Sequence, residues 1–264
     1  MNRNALRVMR RIAHDIADRR LGAGDRLGSE AELLDRYDVG RPVLREALLL
    51  LEHEGRIEVR RGPGGGAVVR DPGPDTVARG LAAWLSHRDA TVRDLYAVRE
   101  FIEARAAEWA AGRVDEHGAV RLRELLDRED GLAAAGDLTG YAAQALRFHA
   151  AVASISGNPV AEILVETLSG IIAANTGTPH YSATEADEER HAHRRIASAV
   201  IAGDAALASH RMLQHVRAAA ALEEQLHRSE RRVADPDADR PDEGRSGREA
   251  PEPPALSSAG AARR

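Results

Sequence analysis

Arg41 and Arg45 lie four residues apart in a stretch that reads RPVLREALLLLEHEGRIEVRRGPGGGAVV. On a helix that spacing puts both guanidiniums on one face. A forked guanidinium matches the edge of guanine and the oxygens of a phosphate, so the chemistry on offer is recognition of duplex DNA. Arg60 and Arg61 follow at the end of a predicted strand, next to the turn Gly62-Pro63-Gly64-Gly65-Gly66. The bare amides of such a turn can approach a sugar-phosphate backbone closely. A second set of chemistry-bearing residues lies far downstream. His149, His193 and His215 fall on three different predicted helices, and helix bundles build metal sites from inward side chains on facing helices. Imidazoles suit zinc, nickel or a similar divalent ion. Arg99 sits among Leu95, Val98 and Ile102 on an apolar stripe. A guanidinium there wants a carboxylate, either Glu103 one turn on or a ligand anion. Asn175 is a further candidate for the wall of the same cavity.

The elements that must position the arginines are legible on either side of them. Residues 5–20 read as an amphipathic helix with Leu6, Met9, Ile12, Ala13 and Ile16 on one face. Residues 21–25 break it. Ser29 then offers a capping hydroxyl with Glu32 three residues on, the capping-box spacing, and a short helix runs from Glu30 to Tyr37. Asp38-Val39-Gly40 is the turn. The helix that carries Arg41 and Arg45 begins with Pro42 in its first turn, where a missing N–H costs nothing. Val43, Leu44, Ala47, Leu48 and Leu51 form its apolar face, and Gly55 ends it. A strand over 56–61, the glycine turn and a strand over 67–70 complete a winged helix-turn-helix. Ser29, Gly40, Gly64 and Gly65 join Arg41, Arg45, Arg60 and Arg61 as the candidate DNA-contacting set.

After the linker Asp71-Pro72-Gly73-Pro74 the pattern turns helical, with helices expected at about 75–87, 91–111, 114–134, 137–155, 159–175, 184–202 and 204–228. No strand pattern competes, so the fold class is mainly α: a winged helix followed by an all-α bundle. From Ser229 on, the composition is polar and rich in Pro, Gly and charge, which predicts a disordered tail that is dispensable for folding. The expected division is 1–71, 72–228 and 229–264. The formal net charge is -5 over 264 residues, so affinity for DNA must come from a local arginine face rather than from overall charge. Without cysteine, neither a disulfide framework nor a thiolate metal site can form. No long apolar run and no basic-apolar leader is seen, so the expectation is no membrane span, no secretion signal and a cytoplasmic location.

Residues 5–70 resemble the DNA-binding domain of the GntR family of bacterial transcription regulators. The resemblance rests on Gly24-Asp25-Arg26-Leu27-Gly28-Ser29-Glu30, Val39-Gly40-Arg41, Arg45-Glu46-Ala47-Leu48 and the wing at Gly64–Gly66. Two positions depart from that pattern: Gly40 stands where the family usually has Ser or Thr, and Ala31 where many members carry a DNA-reaching Arg. The bundle resembles the effector-binding FCD domain of the FadR subfamily. There the carrying residues are Leu95-Tyr96-Ala97-Val98-Arg99 with Glu103, Phe148-His149, Gly157-Asn158-Pro159, His193-Arg194-Arg195-Ile196, Gly203-Asp204 and Met212-Leu213-Gln214-His215.

That second resemblance implies a divalent metal held by three histidines and one Asp, with a carboxylate effector bound to the metal and contacted by Arg99. His149, His193 and His215 fall on the histidine positions, but the Asp position is Ala145, which cannot coordinate. Three readings stay open. The metal is held by three imidazoles plus water or effector. Or the histidines hydrogen-bond an effector directly. Or they are helix-face residues with no role. The function implied is a ligand-responsive transcription regulator, a repressor, that binds double-stranded operator DNA as a homodimer and senses a small organic acid; it is not expected to be an enzyme. The alternatives are a hydrolase built on a three-histidine metal centre, disfavoured because no inward Glu or Asp with base geometry is evident near the histidines and a fused winged helix needs no enzyme, and a DNA-binding protein without effector.

Overall fold

The computed structural model describes residues 2–62, 65–176, 182–226 and 228–236. Gly64 of the wing and residues 237–264 of the expected tail lie outside the described residues. In chain order the elements begin with α1 (Arg3–Asp18), β1 (Arg26–Gly28), α2 (Glu30–Tyr37), α3 (Arg41–His53), β2 (Ile57–Arg60) and β3 (Gly66–Val69). The three strands form one antiparallel sheet in the order β1-β3-β2, with Ile57 opposite Val69 and Arg60 opposite Gly66. Strand β1 is an addition to the sequence reading; three residues are too few for an alternating pattern to show.

The apolar faces of these elements meet in one small core. Val8 and Ile12 of α1, Leu33 and Tyr37 of α2, Leu44 and Leu51 of α3 and Ile57 of β2 are buried there. Tyr37 donates its hydroxyl to Asp15 at 2.7 Å, which ties α2 to α1. The capping box at α2 is formed: Ser29 Oγ accepts from the Glu32 amide at 3.3 Å, and the Ser29 amide donates to the Glu32 carboxylate at 2.6 Å. Helix α3 starts after Gly40 with no side-chain cap, so the first turn of the arginine-bearing helix keeps its backbone amides facing outward.

Seven helices follow: α4 (Pro74–Ser86), α5 (Val92–Ala111), α6 (Glu116–Ala134), α7 (Leu138–Ile155), α8 (Pro159–Thr176), α9 (Ala183–Ile201) and α10 (Ala205–Gln225). Helix α5 lies along α10 and also packs on α7, α8 and α9. The C-terminal half of its buried face is made of small residues, Ala106, Ala107, Ala110 and Ala111, which let neighbouring helices come close. Phe148, Leu122, Ile196 and Met212 fill the space between.

Residues 229–236 correct one expectation. The composition predicts disorder from Ser229 on, and instead this segment straps across the bundle. The first helical amides of α5 have no partner within their own helix. The strap supplies them: the Val92 amide donates to the Arg231 carbonyl and the Arg93 amide to the Ser229 carbonyl, each at 2.9 Å. Val233 is buried in the bundle core, and Arg228 makes a buried two-pronged ion pair with Glu223 at 2.8 and 3.1 Å. A polar composition concealed this because one valine and two backbone carbonyls carry the contact.

Candidate functional site

Two sites emerge. On the winged helix, Arg41 and Arg45 are both exposed on α3, and Arg60 and Arg61 are exposed beside the wing turn. Arg45 reaches back to Glu30 at the start of α2, with Nε 3.0 Å from Oε1 and Nη2 3.4 Å from Oε2. Arg60 lies 3.7 Å from Glu58 on its own strand. Both pairs are exposed, so they hold the side chains weakly. The Gly65 amide donates to the Gly62 carbonyl at 2.9 Å, and a Cβ at Gly65 would sit 2.3 Å from the Arg60 carbonyl oxygen. Only glycine fits there. The Ser29 hydroxyl is spent on capping α2.

In the bundle, α7, α9 and α10 bring His149, His193 and His215 together. His215 Nε2 lies 3.2 Å from His149 Nε2 and 3.2 Å from His193 Nε2. All three side chains are buried. Phe148 stacks on the His193 ring at 4.2 Å between centroids and fixes its plane. The opposite ring nitrogens are held by buried carboxylates. His193 Nδ1 sits 2.9 and 3.1 Å from the two oxygens of Glu129 on α6, and His149 Nδ1 contacts Glu103 on α5. Arg99 Nε in turn donates to Glu103 at 2.5 Å.

With protons on the Nδ1 side, the Nε2 lone pairs of His149 and His193 converge on His215, and lone pairs facing at this distance repel unless a cation or proton lies between. A ring nitrogen that donates to a carboxylate while its opposite nitrogen is left open is the arrangement of metal-ligating histidines. Two nitrogens 3.2 Å apart can both lie about 2.0–2.1 Å from one divalent ion. Burial pushes His193 down to about 3 and His215 well below the ordinary histidine range, which keeps both imidazoles neutral, the form that binds metal. Burial also pushes Glu129 up to about 8. It opposes the charge on Glu103 as well, but Arg99 and His149 outweigh it and hold that carboxyl near 2. The residues present therefore fit a divalent ion. A cavity of 260 Å³ adjoins the centre, lined among others by Tyr96, Arg99, Ala145, His149, Thr176 and His215. A groove of 830 Å³ along α9 and α10 shares Tyr96, Glu189, His215 and Glu223 with it, which gives a route in from the surface.

The family model described as bacterial regulatory proteins, gntR family, matches residues 4–69, and the FCD domain model matches residues 94–218. The chain carries a GntR-family DNA-binding domain followed by an FCD domain. It is 30% identical to the Uxu operon regulator of Haemophilus influenzae over 64% of this chain and 60% of that protein. It is 32% identical to the HTH-type transcriptional repressor NanR of Cronobacter sakazakii over 62% of this chain and 63% of that protein. With the HTH-type transcriptional regulator LutR of Bacillus subtilis the identity is 28% over 74% of this chain and 90% of the relative. The chain thus spans less than two thirds of the length of the first two of these curated relatives. A solved GntR structure from Streptococcus agalactiae superposes with a TM-score of 0.65 at 26% identity, covering 81% of this chain and 98% of that one.

Within the FCD domain the structure adds two residues that sequence reasoning missed, Glu129 and Glu189, and a second partner for Glu103, which was expected to pair with Arg99 alone. Glu103 and Glu129 hold the backs of His149 and His193, so inward carboxylates do lie beside the histidines, turned to the Nδ1 side of the rings. Glu189 lies on α9. A ligand atom from each of His149, Glu189, His193 and His215 lies within 4.8 Å of all the others. The available signal was spacing: Glu189 stands four residues before His193, one helical turn away. Glu129 had no such signal, because it meets His193 from another helix. Asn175 is placed elsewhere than expected. It donates to the Ile171 carbonyl at 2.8 Å and accepts from the Ala234 amide at 2.7 Å, so it fastens the strap and is not among the residues that line the cavity.

Proposed function

We propose that this chain is a ligand-responsive DNA-binding transcription regulator, a repressor, in which residues 1–71 bind operator DNA and residues 72–228 sense a small carboxylate. One observation carries the reading: a single chain joins an arginine-faced winged helix to a buried histidine–carboxylate centre that opens on a cavity. Arg41, Arg45, Arg60 and Arg61 suit duplex contact through base edges and phosphates, and the wing at Gly65 has no side chain to keep a backbone away. His149, His193 and His215 would hold zinc, nickel or a similar ion, whose charge supplies a seat for an effector carboxylate. Arg99 lines the same cavity and offers a second cation beside its Glu103 partner.

The reading includes a homodimer, because a two-fold protein matches a palindromic operator. Val98 and Phe101 on α5 are exposed, Phe101 at 78%, and Val77 and Trp84 are exposed on one face of α4. Apolar groups so displayed suit burial against a second copy. The effector acts by binding one arrangement of the two DNA heads better than the other. The test selects DNA from a random library with purified protein, then titrates the selected duplex with and without zinc and a panel of small carboxylates. No selected sequence would sink the DNA assignment; selected DNA unaffected by any ligand or metal would leave an effector-less binder. The 260 Å³ cavity speaks against that last alternative. The hydrolase alternative predicts turnover of ester or amide substrates by metal-loaded protein.

A further inference from the structure

We propose that Glu189 is the carboxylate ligand of the histidine centre, so that the metal-binding set is His149, Glu189, His193 and His215, with its carboxylate drawn from α9. The proposal rests on the reading of the centre as a metal site and assigns its fourth protein ligand.

Three observations converge on Glu189. The first is proximity: its carboxylate and the three imidazoles each place a ligand atom within 4.8 Å of all the others, so a shift of some tenths of an ångström brings even the widest pair within the about 4.2 Å that two ligands at about 2.1 Å from one ion can span. The second is register. Glu189 and His193 are one turn apart on α9, so a single rigid helix presents carboxylate and imidazole side by side on one face. The third is the direction in which the carboxylates face. Glu103 faces His149 Nδ1 and Arg99, and Glu129 faces His193 Nδ1 through both oxygens, so each is turned to the back of a ring and away from the Nε2 cluster. Glu189 is the half-buried carboxylate that reaches the front of the cluster, where it also lines the cavity and the groove.

Electrostatics favour the same assignment. Three neutral imidazoles give a divalent ion no anionic contact in a buried site, and isolated charge there is costly. A carboxylate in direct contact offsets half of the ion's charge and leaves a net positive seat for an anionic ligand. Ala145 completes the argument by geometry. It stands one turn before His149 on α7, as Glu189 stands one turn before His193 on α9, and its methyl lines the cavity. The centre is therefore flanked by Glu189 on the α9 side and by the small Ala145 on the α7 side, next to Ala142, Leu146 and Ile172.

Cobalt(II) is the probe, because its visible absorption reports the ligand set directly. Full-length chain is stripped with a chelator, and Co(II) is titrated against a competing chelator for wild type, Glu189→Gln, Glu189→Asp, Ala145→Asp/Glu189→Gln and His215→Gln. Glu189→Gln is expected to weaken Co(II) at least about tenfold and to change the absorption spectrum, since even outer-shell partners of a metal are worth that much. Glu189→Asp retracts the same charge by one methylene and is expected to weaken binding while keeping the fold, which carries the test if the amide variant does not fold. Ala145→Asp in the Glu189→Gln background is expected to recover affinity from the α7 side. Wild-type affinity and spectrum in both Glu189 variants, with binding lost in His215→Gln, would overturn the assignment and leave a three-histidine site. Absence of Co(II) binding in wild type would instead remove the metal reading itself, and this proposal with it.

Discussion

His193 turns one ring nitrogen to the buried Glu129 carboxylate and the other to His215, so the protonation of a carboxylate on α6 and the occupancy of the histidine centre are linked through one imidazole. Burial raises Glu129 to about 8. A carboxyl raised in this way binds a proton in the folded chain that the unfolded chain has released, so stability falls as pH rises from the ordinary value of 4.5 toward about 8. His193 and His215 work in the opposite sense. Their lowered values make stability fall as pH drops below 6.5.

Between pH 6.5 and 8, Glu129 is then the member of this group that sets the slope. Chelator-treated protein should lose up to about 2 kcal/mol of unfolding free energy across that range, at about 1.4 kcal/mol per unit for one proton. Urea unfolding at the two pH values measures it. The loss should vanish in Glu129→Gln, and a slope unchanged by that substitution would assign the effect to other groups. A bound divalent ion reverses the local logic, because it favours the charged carboxylate and neutral imidazoles. Metal-loaded protein should therefore gain stability relative to metal-free protein as pH rises.

Arg41 and Arg45 are expected to carry DNA recognition from α3. Alanine at either position should remove about 1–3 kcal/mol of binding to the selected duplex at fixed salt. The Arg45–Glu30 pair adds a finer test. Because both partners are exposed, releasing Arg45 by Glu30→Gln should strengthen DNA binding, by no more than about 1 kcal/mol, without altering the fold. Fluorescence anisotropy with a labelled duplex reads all three variants. Equal affinity in wild type, Arg41→Ala and Arg45→Ala would exclude this face.

Much of this arrangement was written locally. The α2 capping box, the Pro start of α3 and the glycine wing are signals confined to a few neighbours, and the elements of the winged helix stand where these signals put them, strand β1 aside. The bundle helices were equally legible from Gly and Pro breaks between alanine- and leucine-rich runs. What could not be read were contacts between elements with no periodic trace. Glu129 sits on a charged helix and its sequence neighbours give no hint that it is fully buried against His193. Asn175 looked like a cavity residue and became a fastener because the strap passes beside it.

The strap gives a direct correction to test. Ending the chain after Arg228 removes the buried Val233 and the carbonyls that receive the first amides of α5. Burial of one valine is worth about 1.5–3 kcal/mol, before the lost hydrogen bonds are counted. Thermal unfolding should show a drop of several degrees for a chain ending at Arg228, and much less for one ending at Pro236. Equal melting of the two truncations would mean that residues 229–236 contribute nothing to the bundle.

Arg99 and Glu103 allow the structural and the effector roles of the arginine to be separated. Both side chains are buried, Nε and Oε1 are 2.5 Å apart, and the second Glu103 oxygen holds His149. Removing one partner of a buried pair strands the other, at a cost of about 3–5 kcal/mol. Arg99→Leu should therefore destabilise the chain strongly. Arg99→Leu/Glu103→Leu should recover part of that loss, because it deletes the charge instead of isolating it. The double variant still lacks the carboxylate behind His149, so its metal affinity should fall about 10–100-fold even where its stability returns. Urea unfolding and Co(II) titration on the three proteins distinguish these effects. If Arg99→Leu unfolds within 1 kcal/mol of wild type, about the precision of a surface change, the pair contributes nothing to the fold and Arg99 is held in the cavity for its ligand alone.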